Sequence, residues 1–276
     1  MSGLIDLLRE LFSYWFVIRA MIVGVLVSLC AALLGVTLVL KRYSMIGDGL
    51  SHVGFGALAL SLALNMAPLQ TSIPIVLAAA FLLLRISENS RIKGDAAIAL
   101  ISSSALAVGV VIISITTGMN ADVCNYMFGA ILALSRGDVY LSVAVALVVL
   151  VLYLLSYNRI FAVTFDENFA RATGLDASRY NMLIAALTAM VIVVGMRMMG
   201  AMLISSLIIF PALTSMRVFS SFRRVVICSG VLSVVCFLIG MVISFGLSTP
   251  AGASVVLVNL AAFCVFAVAG RSGLKA

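Results

Sequence analysis

An aspartate and the chain's single histidine stand four residues apart in Ser44-Met45-Ile46-Gly47-Asp48-Gly49-Leu50-Ser51-His52-Val53-Gly54. On an α-helix, positions i and i+4 share a face. That spacing can aim a carboxylate oxygen and an imidazole nitrogen at one ion, so the chemistry on offer is cation binding. The same residues also fit a plainer account, with Asp48 as a helix N-cap and His52 as a hydrogen-bonded core histidine. The setting favours the chemical account. The run that follows is apolar, and ionisable groups inside membrane helices cost roughly 2.5–3.5 kcal/mol and mark pathways or sites.

The elements that must position this pair are membrane helices. Of 276 residues, 64% are hydrophobic and 10% charged, against about 25% charged in a soluble domain; mean hydropathy is +1.28. Apolar runs of spanning length cover about 16–40, 48–65, 69–86, 95–115, 138–157, 180–194, 200–216, 225–245 and 251–269. The pattern predicts an all-α, polytopic transmembrane bundle of nine spans, or eight if Gly195-Met196-Arg197 is a kink rather than a full turn. Residues 1–15 read as an amphipathic interfacial segment, residues 16–270 as a single transmembrane domain, and residues 271–276 as a cytosolic tail. Tyr126 to Leu134 is apolar but too short to span, which suits a re-entrant or surface helix. Gly47, Gly200, Pro211 and Pro250 are candidate helix breaks or gating points.

Lysine and arginine set the orientation. With the N-terminus outside, 13 basic residues fall on the cytoplasmic side and only Arg9, Arg19, Arg136 and Arg197 on the other. The net charge of +7 therefore reflects topology rather than a nucleic-acid footprint. None of the five cysteines forms a CxxC, which argues against a disulfide framework or a thiolate metal site. No G-x-x-x-x-G-K-[ST], H-E-x-x-H or G-x-S-x-G occurs, so P-loop nucleotide binding, zincin chemistry and a hydrolase elbow are excluded.

The loop over about 158–179 holds Phe165-Asp166-Glu167-Asn168-Phe169-Ala170-Arg171-Ala172-Thr173-Gly174. Asp166 is a good N-cap, Glu167 suits the positive end of the helix dipole, and Gly174 is a good C′ stop. This spells a helix of two turns with Phe169 exposed. Such a helix is unstable alone and needs a surface to dock on.

Taken together, these residues resemble the permease subunits of ATP-binding-cassette importers for divalent transition metals, the zinc, manganese and iron uptake type. The resemblance runs from Leu38-Val39-Leu40-Lys41-Arg42 through Gly47-Asp48-Gly49-Leu50-Ser51-His52. It continues at Gly94-Asp95, Phe128-Gly129-Ala130, the Asp166–Ala170 loop, Gly200-Ala201-Met202-Leu203, Phe210-Pro211-Ala212 and Thr249-Pro250-Ala251-Gly252-Ala253. Gly54-Phe55-Gly56 stands where the family often has a proline, and Ser248 where it often has an acidic residue.

The resemblance implies a homodimeric permease in a bacterial-type plasma membrane. It implies two separate ATPase subunits docked on a coupling helix (Asp166, Glu167, Phe169, Ala170, Gly174) and an external metal-binding protein. It implies that Asp48 and His52 coordinate the transported ion, with no permanently bound cofactor. Nitrogen plus carboxylate suits Zn2+, Mn2+ or Fe2+ better than Cu(I). Two rivals stay open: a proton-coupled secondary transporter using Asp48 and His52 as a relay, and an importer of metal chelates.

Overall fold

The computed structural model describes residues 15–89, 94–116 and 136–271. Among these the fold is all-helical: α1 Trp15–Leu40, α2 Ile46–Ala63, α3 Pro68–Asn89, α4 Gly94–Thr116, α5 Arg136–Phe165, α6 Glu167–Ala172, α7 Ala177–Met199, α8 Ala201–Ser215, α9 Phe222–Leu247 and α10 Ala251–Arg271. Residues 1–14, the stretch 126–134 and the tail beyond 271 lie outside the described residues.

Eight of the described helices are long and apolar enough to cross a membrane; α8, with 15 residues, is shorter. The chain does not break at Gly195-Met196-Arg197. Helix α7 runs on to Met199, and the break falls at Gly200, whose φ of +86° suits glycine. Helix α8 folds back on α7 so that Ile204 lies against Gly195. Pro211 sits inside α8 without ending it. Gly47 is not a break either. It lies in the first turn of α2, where its missing side chain admits Ile208. Pro250 immediately precedes α10.

Helix α1 is the hub. It is apolar on nearly every side, as suits a helix enclosed by protein or lipid; Val23, Val27, Ala31, Leu34 and Val36 are all at or below 1% exposure, while Trp15 and Ile22 near its start are exposed. Hydroxyl and thiol groups tie it to its neighbours. Ser233 Oγ donates to the Ser28 carbonyl at 2.9 Å, Ser229 Oγ to Ala32 at 3.3 Å, and Cys30 Sγ to Ala146 at 3.4 Å. Interhelical bonds of this kind average about 0.6 kcal/mol in a membrane.

Four helices end in the same reverse turn, in which a left-handed residue lets the following N–H reach back across the last turn. Glycine fills that position only at Gly174 after α6; Arg42, Asn65 and Ser248 fill it after α1, α2 and α9.

Helix α5 extends eight residues past the apolar run expected to end at 157. The cause is aromatic. Tyr157, Phe161 and Phe165 follow one another at i+4 and pack on Phe222, with ring centroids at 5.5, 5.0 and 5.8 Å. The loop expected over 158–179 is therefore mostly helix, and Asp166 alone separates α5 from α6.

Candidate functional site

Asp48 and His52 both lie on α2, in its first two turns. Asp48 is not the N-cap; Met45 holds that position. Their side chains meet, with Asp48 Oδ2 3.6 Å from His52 Nε2. That is beyond the usual hydrogen-bond range, so the two donor atoms face each other across a gap. Two ligands on a tetrahedral ion with bonds near 2.0–2.2 Å stand about 3.4 Å apart. The gap matches that spacing.

The face they occupy is narrow. Between Gly47 and Ser61 every residue of α2 is buried except Asp48, His52, Gly56 and Leu60. These four recur at i+4 and share one row of the helix; Asp48, His52 and Leu60 form its open ridge, whereas Gly56 in the same row is closed over by α4. The enclosing surface is mainly α4, which comes unusually close. A side chain at Gly56 would lie 2.7 Å from the Ala105 carbonyl, Gly109 receives Phe55, and Gly49 receives Ile98. Small residues are what allow such close approach between membrane helices. The outer side of α4 carries one stripe of small exposed residues, Ala99, Ser103 and Ala107, beside the larger exposed Leu100, Val108 and Val111.

The helix expected after Asp166 is present as α6. The Asp166 carboxylate accepts from the Phe169 N–H at 2.9 Å, and Gly174 closes the other end with φ +86°. Ala170 is fully buried beside Val163 and Ala177, whereas Phe169 is 64% exposed. One side of α6 thus rests on α5 and α7, and the other is presented outward.

Glu167 does more than favour the helix dipole. Its Oε1 accepts from Arg171 Nη2 at 2.6 Å; its Oε2 accepts from Asn181 Nδ2 at 3.3 Å and lies 3.6 Å from Lys41 Nζ. Lys41 Nζ in turn donates to Asn181 Oδ1 at 2.5 Å. Neither Lys41 nor Asn181 is marked for this role by its local sequence. The available signal was three polar residues expected at the same membrane edge, but they are far apart in the chain and nothing local pairs them.

Burial pushes the Glu167 carboxyl up, but hydrogen bonds from Asn181 and Arg171, and the charges of Lys41 and Arg171, outweigh it. The group is held below the ordinary glutamate value of 4.5. A carboxylate with a depressed pKa stabilises the fold above its unfolded value, and that contribution is lost as pH falls through the lower folded value. The melting-temperature gap between the wild type and Glu167→Gln should therefore be constant between about pH 6 and 8, and should close below about 4.5. Thermal unfolding in detergent across pH measures it; a gap that changes within the neutral range would refute the assignment.

Another ion pair lies at the opposite end of the bundle. Arg197 Nη2 is 3.1 Å from Asp138 Oδ2, joining the end of α7 to the start of α5, and both side chains are less than 20% exposed.

Residues 13–270 match the ABC-3 family, the ABC 3 transport family. The manganese import system permease protein ScaB of Streptococcus gordonii is 29% identical, over 94% of this chain and 93% of the relative. The high-affinity zinc uptake system membrane protein ZnuB of Haemophilus influenzae is 28% identical, over 86% and 91%. Among solved structures, PsaBC from Streptococcus pneumoniae in complex with Fab superposes with a TM-score of 0.85 at 28% identity, covering 96% of this chain and 95% of that one. The helical bundle, the short outward helix α6 and the match across nearly the whole length lead to one conclusion: the chain belongs to the ABC-3 transport family, as a multi-pass permease subunit that leaves ATP hydrolysis to a separate chain.

Proposed function

We propose that this chain is the permease of an ATP-driven importer that carries Mn2+ or Zn2+ into the cell, with Asp48 and His52 binding the ion in passage. The carrying observation is the Asp48–His52 pair, 3.6 Å apart on the one open ridge of α2 inside an apolar bundle. The names of relatives that transport manganese or zinc support the choice of cargo. Oxygen and nitrogen donors suit both ions, and ligand type alone does not choose between them.

Two donors are too few to enclose an ion, and the described residues contain no group of three or more candidate ligands. A second copy of the chain across a twofold axis would supply two more. The open ridge supports that arrangement. An aspartate and a histidine facing lipid would each be costly, and a partner copy on the ridge would remove the exposure. The small residues exposed on α4 would let the two copies approach closely. Transport needs an ion held weakly enough to leave, and a four-donor site built from two movable halves meets that need.

In this reading α6 is the coupling helix, docked on the ATPase through Phe169, with the N-terminus outside and the C-terminus in the cytoplasm. Closure of the ATPase dimer on ATP would move α6 and switch the access of the Asp48–His52 site between the two faces. An external metal-binding protein would deliver the ion.

The test is uptake into vesicles holding the permease, with and without a candidate ATPase and delivery protein, with manganese, zinc and iron run in parallel. ATP-dependent uptake of manganese or zinc is the expected result. Uptake by the permease alone would overturn the reading in favour of a proton-coupled carrier.

A further inference from the structure

Helix α6 has six residues, and one buried alanine seats it against α5 and α7. Glu167 carries its contacts further. Through Oε2 it reaches Lys41, the residue immediately after α1, while Asn181 of α7 bridges the two by donating to Glu167 and accepting from Lys41. Lys41 and Asn181 are nearly buried, with the Lys41 side chain 10% exposed and Asn181 8% exposed. A partly desolvated ion pair bridged by an amide holds its geometry better than a free surface pair.

What lies beyond Lys41 matters most. The Arg42 N–H bonds to the Val39 carbonyl at 3.1 Å and the Tyr43 N–H to Leu38 at 2.8 Å, with Arg42 in the left-handed conformation at φ 62°. The Ile46 N–H then bonds to Tyr43 at 3.0 Å and the Gly49 N–H to Met45 at 3.0 Å. From Lys41 to the first turn of α2 the backbone is closed by successive hydrogen bonds, with no slack segment between. Six residues, 42–47, therefore connect the partner of Glu167 to Asp48 through a stiff turn.

We infer that Lys41, Glu167 and Asn181 form the link that carries motion of α6 to the Asp48–His52 ridge, and that Lys41 is a positioning residue for transport. This rests on the ATP-driven import reading above. Displacement of α6 pulls Glu167, the ion pair pulls Lys41, and the closed turn rotates the start of α2. Breaking the link leaves an ATPase that can hydrolyse ATP without moving the ion-binding side chains.

The decisive readout is the number of ions imported per ATP hydrolysed, measured in vesicles holding the complete complex. Lys41→Met should lower this ratio about fivefold or more, the lower end of ordinary coupling between sites. Glu167→Gln should lower it too; it keeps the side chain's shape and covers the case in which Lys41→Met fails to fold. A merely structural role would reduce uptake and hydrolysis together, leaving the ratio at its wild-type value, and that result would overturn the inference. Wild-type uptake without the ATPase would instead overturn the import reading, and the inference would fall with it.

Discussion

Replacing Asp48 and His52 together with alanine should cut metal uptake by about 100-fold or more while the complex still assembles. Even residues that only support metal ligands cost about 10–100-fold when removed, and here both donors of each chain are lost. The structure predicts that folding is spared. Both side chains lie on the open ridge, His52 25% and Asp48 46% exposed, and neither fills the core. Uptake assays with size-exclusion chromatography of the permease–ATPase complex measure the two outcomes separately. Asp48→Asn keeps the shape and removes the charge, so its deficit isolates the electrostatic share. Normal uptake by the double variant would remove the metal-binding role from the pair and leave a structural histidine.

A second large effect is expected at a position that touches no ion. Gly35→Leu should destabilise the permease by about 3 kcal/mol. A Cβ built on Gly35 would lie 2.0 Å from the Ile208 carbonyl oxygen and 2.8 Å from its carbon. These are backbone atoms of α8, so no side-chain rotation relieves the clash and the helices must part. Ile208 also reaches Gly47 on α2, where its Cδ1 would lie 3.1 Å from an added Cβ. Helices α1, α8 and the start of α2 thus meet around one residue, and forcing α8 away disturbs the footing of Asp48. The prediction is a lower melting temperature and poor recovery of monodisperse protein. An unchanged melting temperature for Gly35→Leu would mean that α1 and α8 do not approach this closely.

The two substitutions separate function from fold. Loss at Asp48 and His52 should leave the melting temperature in place, whereas loss at Gly35 should lower it first and lose uptake as a consequence. Measuring both quantities for both variants distinguishes a damaged site from a damaged scaffold.

Much of this protein follows from local sequence because a bilayer leaves few choices. Backbone groups in hydrocarbon must bond within their own segment, so each apolar run of spanning length reads directly as a helix. The Asp48–His52 pair is equally legible, since i and i+4 on one helix are neighbours whatever the rest of the chain does. Asp166 and Gly174 bracket α6 for the same reason: capping is decided within a few residues. Local reading failed where a neighbour decided the outcome. The end of α5 follows the ring of Phe222, which is remote in sequence. The break between α7 and α8 lies at Gly200 rather than a few residues earlier, because Gly195 is needed inside the helix to receive Ile204. The Lys41–Glu167–Asn181 link joins three separate helices or their ends and has no local signature at all. By itself, then, the sequence determined a membrane-spanning helical bundle, the donor pair and the outward helix, since these depend on hydrophobicity and on contacts within one or two turns. Only the tertiary structure decided which face of α2 stays open and how α6 connects to it, because both depend on how closely packed helices exclude one another.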